Sequence, residues 1–366
     1  MRIGMPSEIK DQECRVAMTP EGVRTLVQAG HEVAVEQGAG EKSAFADAAY
    51  RAAGAELTDA ASAWQSELVL KVKEPQPSEF EHLDGQTVFT YFHLAGVEPG
   101  LTDALLTAGV TAVAYETVED DQGRLPLLEP MSAVAGHMAA TIGSYYLARF
   151  NGGRGVLLSS LLGEEYGTVL VIGDGVVGRH AARAAAALGA RVTICGLDPE
   201  RAEALRNDIS PQLEFLQSNR ANIAEALTST DLVVGAVLLP GARAPRLVDE
   251  DMVASMPNGS VIIDVSIDQG GCIATSRPTS HSDPVYVVHG VTHYCVTNMP
   301  GAYPRTSTLA LSAATLPYAQ RLADNGFDAL RRDAGFARGL NTHAGKITCA
   351  PVAEAMDRMS DYEAFA

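Results

Sequence analysis

Apolar positions along this chain follow two alternating rhythms. Short unbroken apolar runs, the mark of strands buried on both faces, are separated by stretches with helical spacing. Runs at 1–5, 31–36, 67–73, 88–93 and 111–115 predict the strands of a first block. A helix is predicted over 19–29, with Pro20 at its start and Gly30 as its stop. Glu129-Pro130-Met131-Ser132 closes a loop, and a long helix is predicted over 133–150. A second block then brings runs at 169–172, 190–195, 232–237 and 261–265. A helical pattern over 306–322, broken by Pro317, returns the chain to the first block, and the polar tail 357–366 is expected to fray. Strands alternating with helices indicate α/β architecture: two doubly wound parallel-sheet domains, the second inserted in the first. The boundaries are expected at 1–128 with 302–366 for one domain and 129–301 for the other.

One junction between a run and a helix is chemically specific. Val169-Leu170-Val171-Ile172 leads directly into Gly173-Asp174-Gly175-Val176-Val177-Gly178, and the alanine-rich stretch 180–188 follows, stopped by Gly189. Glycines at this spacing allow a tight turn, close backbone approach to a pyrophosphate, and close packing of helix on strand. The pyrophosphate then meets the free N–H groups and positive dipole of the helix N-terminus. With a second strand beginning at Ala190, the arrangement is that of a Rossmann dinucleotide site. Gly173, Gly175, Val176, Val177 and Gly178 are therefore candidate cofactor contacts, and 129–301 is the candidate dinucleotide domain. The first block has no such turn after its first strand and is expected to hold the substrate.

Composition narrows the partners. Lys and Arg number 27 against 45 Asp and Glu, a formal charge of −18, which argues against nucleic acid and anionic membranes as partners. The five cysteines (Cys14, Cys195, Cys272, Cys295, Cys349) are scattered without metal-binding spacing, as in a reduced cytoplasmic protein with no metal. The chain enters directly on a strand, without a basic-then-apolar leader. It has no apolar run of the ~18–20 residues that a membrane span requires, so a soluble protein is expected.

A few polar residues stand where strands end, the edge at which open α/β sheets bind ligands. Arg15 and Lys73 are candidates for holding a carboxylate, although either alone also reads as a solvated cation. His93 follows the run Val88-Phe89-Thr90-Tyr91-Phe92 and reads either as an acid/base group or as a hydrogen-bonded core histidine. Asp268, followed by Gln269-Gly270-Gly271-Cys272, can approach a nicotinamide and a substrate or can simply make an Asx turn. Cys272 reads as a small buried hydrophobe.

These residues also carry a resemblance. Glu13-Cys14-Arg15-Val16, Lys71-Val72-Lys73-Glu74-Pro75, Phe92-His93-Leu94-Ala95, Pro130-Met131-Ser132, Ser266-Ile267-Asp268-Gln269-Gly270-Gly271-Cys272, His293-Tyr294-Cys295-Val296 with Asn298-Met299-Pro300, and Thr306-Ser307-Thr308 are similar to segments of bacterial alanine dehydrogenases, in the same order along nearly the whole chain. The resemblance, to the alanine dehydrogenase/pyridine nucleotide transhydrogenase family, implies a hexameric enzyme that oxidatively deaminates L-alanine to pyruvate and ammonia with NAD. It implies that Arg15 and Lys73 hold the substrate's carboxylate and oxo group, and that His93 and Asp268 serve acid/base steps. It further implies that Ser132, Ser218, Val237, Leu238, Ile267, Asn298 and Met299 line the cofactor.

The chain departs from that pattern near the adenosine. The acid that ends the second Rossmann strand in such proteins is Gly196 here. Asp198 stands two residues on as a candidate ribose contact, yet Asp198-Pro199-Glu200 also reads as a helix start with Asp198 as its N-cap. NAD is the expected cofactor with NADP open, and an acid restored by Gly196→Asp is expected to strengthen the preference for NAD. Asp174 replaces a smaller residue within the glycine turn. Ala133 and His137 stand where relatives carry Glu and Arg. A related enzyme acting on another amino acid or imine is the alternative reading.

Overall fold

The protein was examined as a computed structural model, which describes residues 1–238 and 244–365. The chain divides into two compact units, Met1–Met131 with Gly301–Ala366 and, inserted between them, Ser132–Pro300. In chain order the strands are β1 (Arg2–Met5), β2 (Glu32–Glu36), β3 (Glu56–Thr58), β4 (Leu68–Leu70), β5 (Thr87–Thr90) and β6 (Thr111–Ala114). Next come β7 (Ser159–Leu161), β8 (Glu164–Tyr166), β9 (Thr168–Ile172), β10 (Arg191–Gly196), β11 (Glu214–Gln217), β12 (Leu232–Gly235), β13 (Val261–Asp264), β14 (Val285–Val288) and β15 (Val291–Tyr294). The last two are β16 (Leu340–His343) and β17 (Lys346–Ile347).

In the first unit, the strands among the described residues order as β17-β16-β6-β5-β4-β1-β2-β3. β1 to β6 pair in parallel; β16 pairs antiparallel with β6, and β17 antiparallel with β16. The order reverses between β1 and β4, so the loops leaving their C-terminal ends part and open a crevice there. Arg15 lies in the loop after β1, Lys73 in the loop after β4, and His93 in the loop after β5. β4 and β5 are shorter than their apolar runs suggested, so Lys73 and His93 stand beyond the strand ends and not within them.

The second unit repeats the plan with order β11-β10-β9-β12-β13-β15-β14, parallel except for β14. Its switch point lies between β9 and β12, beside the glycine turn that follows β9. One face of the sheet buries Val169, Val171, Ile194, Val234 and Ile263 against Ala181, Ala182 and Ala185 of the helix Val176–Leu188, while the other buries Leu170, Ile172, Val233 and Ile262. Continuous apolar runs arise because both faces are covered.

Three sequence expectations need correction. The helix predicted from 133 begins at Glu129, because Pro130 is tolerated in a first helical turn that needs no N–H from it. The helix Pro304–Asn325 runs unbroken through Pro317. Leu311, Thr315, Ala319 and Leu322 are buried on one stripe spanning the proline, whereas Pro317 and Ala313, whose carbonyl loses its donor, face water. The tail is pinned: Arg358 pairs with Asp103 at 2.6 Å and Asp361 at 2.8 Å, and the Glu363 N–H donates to the Ile347 carbonyl at 2.9 Å.

An exposed mid-helix proline held only by packing is a stability reserve. Pro317→Ala restores one hydrogen bond and is expected to raise the unfolding free energy by about 1–3 kcal/mol in denaturant titration. A loss of stability would mean that the ring's own contacts outweigh the missing bond.

Candidate active site

The loop that carries Lys73 is shaped by carboxylates brought beneath it. Glu8, in the loop after β1, accepts the Val72 N–H at 2.6 Å and the Lys73 N–H at 3.3 Å. The same carboxylate lies 3.3 Å from the buried ammonium of Lys71, which also donates to Glu79 at 2.9 Å. Burial pushes the Glu8 pKa up to about 7 against the opposing pull of Lys71. Burial alone would depress Lys71, but its two acidic neighbours more than offset this and hold it charged. The Tyr115 hydroxyl donates to the Lys71 carbonyl at 3.0 Å, fixing the turn from the other side.

Arg15 is held in the same manner. Its Nε and Nη2 donate to the two oxygens of Glu13 at 2.7 and 2.5 Å, a bidentate pair that sets the guanidinium plane, and Nη1 lies 3.1 Å from the Met131 sulfur. Both partners are buried, so the pair is worth far more as geometry than a surface salt bridge.

Arg15, Lys73 and His93 meet around Tyr91. The Lys73 ammonium is 5.9 Å from the centre of the Tyr91 ring, and the His93 imidazole stacks on it with centroids 5.7 Å apart and planes 1° from parallel. The buried hydroxyl of Tyr91, raised above the usual phenol range, donates to the Leu127 carbonyl at 2.5 Å and locks the ring. His93 has φ of 50°, a strained conformation for a side chain of this size. Glu116 holds it there by accepting the N–H groups of Phe92 at 3.3 Å and His93 at 2.5 Å. Desolvation, then the cations Lys73, Lys10 and Arg15, push the imidazole pKa down to about 3. The side chain is 41% exposed, and the ring is neutral at pH 7.

In the second unit, the residues named from sequence gather at the C-terminal ends of neighbouring strands. Gly173–Gly178 follows β9, Asp198 and Ser218 follow β10 and β11, Val237 and Leu238 follow β12, Ile267 and Asp268 follow β13, and Asn298 and Met299 follow β15. Ser132 lies in the first turn of the helix Glu129–Leu147. The Val237 N–H donates to the Ser266 hydroxyl at 2.9 Å, and Asn298, with φ of 61°, offers its carbonyl to His281 at 3.3 Å. Asp268 is exposed on a short 3₁₀ turn, Val265–Gln269, whose cap is the buried Asp264, accepting from Ser266 and Cys272 N–H groups at 3.1 Å each. Asp264 thus makes an Asx-type turn at this edge. Burial holds the Cys272 thiol well above its ordinary range, consistent with an inert packing residue.

The glycine turn fits a dinucleotide. A Cβ on Gly173 would lie 2.4 Å from the Ala236 carbonyl oxygen, and one on Gly178 would lie 1.8 Å from that of Gly173. A Cβ on Gly175 would meet nothing within 4 Å, so that glycine faces open space and is not forced by protein packing. The helix Val176–Leu188 begins there with no side-chain cap. Two glycines seat the helix against the strand and the third leaves room for a phosphate to reach it. Asp198, by contrast, spends its carboxylate on the N–H of Glu200 at 3.0 Å, as an N-cap should.

Comparisons with known proteins agree with this layout. The alanine dehydrogenase/PNT N-terminal domain matches residues 4–135, and the alanine dehydrogenase/PNT C-terminal domain matches residues 139–350. The chain belongs to the alanine dehydrogenase/PNT family. It is 52% identical to an alanine dehydrogenase of Halomonas elongata over 97% of this chain and 96% of that one. It is 48% identical to that of Mycolicibacterium smegmatis over 98% and 97%. A solved L-alanine dehydrogenase superposes with a TM-score of 0.94 at 48% identity, covering 98% of this chain and 99% of its own. The family is one of pyridine-nucleotide-dependent dehydrogenases.

The positioning residues Glu8, Glu13, Tyr91 and Glu116 were not singled out from sequence. The one available signal was an acid, Glu13, two residues before Arg15.

Two expectations follow. Burial raises the Glu116 pKa to about 7 although the bound N–H groups oppose it, so the folded state binds more protons than the unfolded chain between the ordinary carboxylate range and pH 7. This contribution is full at low pH and is lost as pH rises through 7. The fall in unfolding free energy from pH 5 to pH 8 is therefore expected to be shallower in Glu116→Gln, by on the order of 2 kcal/mol. Equal slopes would show that Glu116 titrates normally. Separately, Gly178→Ala is expected to lose about 1–3 kcal/mol of stability by overpacking, while Gly175→Ala keeps its melting temperature and loses dinucleotide affinity. Equal melting losses in both would remove the distinction drawn between these glycines.

Proposed function

We propose that this chain catalyses the NAD-dependent oxidative deamination of L-alanine to pyruvate and ammonia, and the reverse reductive amination. The observation that carries the reading is the grouping of two fixed cations and a neutral histidine around Tyr91. A small amino acid offers a carboxylate for Arg15 and Lys73 to orient, and an ammonium that must lose a proton before the carbon–nitrogen bond can be oxidised. A histidine already neutral at pH 7 can take that proton, or one from the water that later adds to the imine carbon. The surrounding cations that lower its pKa also help it to release the proton afterwards. Asp268, exposed on its turn, is the second acid/base group in this reading. When bound, the nicotinamide ring supplies the hydride acceptor. The residues that would hold the dinucleotide are Ser132, Gly173, Gly175, Val176, Val177, Gly178, Ser218, Val237, Leu238, Ile267, Asn298 and Met299.

The proposal extends to a cytoplasmic homohexamer. Support comes from the family's assembly as implied by sequence resemblance, and from cysteines that are all unpaired. Among the described residues no helix is long and apolar enough to cross a membrane.

The test is formation of NADH with L-alanine, set beside a panel of other amino acids and NADP. In the same assay His93→Ala is expected to lower kcat by ~10²-fold or more while NADH affinity is retained. A loss below about threefold would return His93 to a packing role. Robust turnover of another amino acid with none of alanine would move the substrate assignment.

A further inference from the structure

A Rossmann domain that prefers NAD ordinarily carries a carboxylate near the end of its second strand, about 20 residues beyond the first glycine, where it accepts hydrogen bonds from the ribose hydroxyls. β10 ends here on Gly196, which has no side chain to offer. Asp198 is committed to capping the Pro199–Arg201 turn. A third carboxylate stands at the place in question. A Cβ built on Gly196 would lie 3.0 Å from both Cγ and Oδ2 of Asp174, and 3.0 Å from the ring of Phe215. The carboxylate that strand β10 lacks is therefore supplied from the glycine turn across from it.

We propose that Asp174 is the residue that reads the adenosine ribose in this chain and selects NAD over NADP, with Arg201 as its clamp. The inference rests on the dinucleotide reading of the glycine turn given above. Arg201 Nη1 lies 2.6 Å from Asp174 Oδ2, and Nη2 donates to the Asp174 backbone carbonyl at 3.3 Å. The arginine thus hydrogen-bonds the main chain of Asp174 and ion-pairs with its side chain, whose Oδ2 is buried and makes no well-aimed hydrogen bond of its own. Asp174 is in turn mostly sheltered, with 15% of its side chain exposed, while Arg201 is 45% exposed. Both consequences favour NAD. A carboxylate held at this place accepts from a ribose diol and repels a 2′-phosphate. Arg201, which would otherwise attract that phosphate, is paired with the carboxylate.

Gly196 and Asp174 are complementary in size as well as charge. A side chain at 196 would press on the Asp174 carboxylate and on Phe215 together. The structure accordingly reverses the expectation drawn from sequence: Gly196→Asp alone sets two carboxylates in contact and is expected to weaken NADH binding, not to sharpen selectivity.

The test is equilibrium binding of NADH and NADPH to the full-length protein without substrate, by fluorescence titration with calorimetry as a check. The unaltered protein is expected to bind NADH more tightly. In Asp174→Asn the ratio of the two dissociation constants should shift toward NADPH by about tenfold or more, since a charged hydrogen bond is lost and Arg201 is released. Asp198→Asn should leave that ratio within about twofold. If Asp174→Asn proves unstable to heating, Asp174→Ser carries the same test, with the same shift toward NADPH expected and an unchanged ratio counting against the assignment. An unchanged ratio in Asp174→Asn, or a large shift in Asp198→Asn, overturns the assignment of Asp174 while leaving the dinucleotide site intact. Failure of the unaltered protein to bind either nucleotide would overturn the dinucleotide reading and this inference with it.

Discussion

A charge withdrawn from water needs an opposite charge or several hydrogen bonds within a few ångströms, and the first unit withdraws many at once. Glu8, Glu13, Glu74 and Glu79 are buried beside Arg15 and Lys71, with Lys10 reaching Glu74 at 2.5 Å from the rim. The carboxyls outnumber the buried cations, and the imbalance is relieved where it is greatest: Glu8 is pushed to about 7 and gives up part of its charge. Such an assembly contributes little net stability, because desolvation offsets most of the Coulomb attraction. Its value is positional. The bonds that satisfy Glu8 and Glu13 fix the loop of Lys73 and the plane of Arg15.

The second unit solves its positioning problem without charge. Its glycine turn is defined by carbonyl oxygens that approach within a distance at which no side chain fits, at Gly173 and Gly178. Contact of backbone on backbone leaves the helix N-terminus open and rigid, which suits a ligand whose own charge supplies the attraction. A substrate of a few atoms has to be oriented by side chains, whereas a dinucleotide can be oriented by the main chain. The first unit thus sets its groups with buried charge and the second with backbone contact.

This difference governs what could be read from sequence. The glycine turn was legible because its constraint is local: four apolar residues, three glycines and a helix say what the backbone must do. Arg15, Lys73 and His93 were legible as residue types at strand ends. Their partners were not, since an acid such as Glu116 or Glu8 becomes buried only through the placement of distant strands, which leaves no periodic trace. Strands at sheet edges were missed for a related reason. Glu56–Thr58, Glu214–Gln217 and Lys346–Ile347 are short or half-polar, because an edge needs no continuous apolar run. Asp174 was visible as an oddity within the turn, but its meaning depended on a neighbour 22 positions away, counted from Asp174 to Gly196.

The Glu116–His93 pair shows how buried charge reaches the chemistry. His93 holds a backbone conformation that costs of the order of 1 kcal/mol or more for a residue with a side chain. It persists because one carboxylate accepts both its N–H and that of Phe92. Those bonds favour the ionised carboxylate, but burial opposes it more strongly and holds the Glu116 pKa up at about 7. The same ionisation places a negative charge 3.8 Å from His93 Nδ1, opposing the three cations that depress the imidazole. The backbone conformation of His93 is thus held by one neighbouring carboxylate, and a substitution that removes its charge weakens that hold.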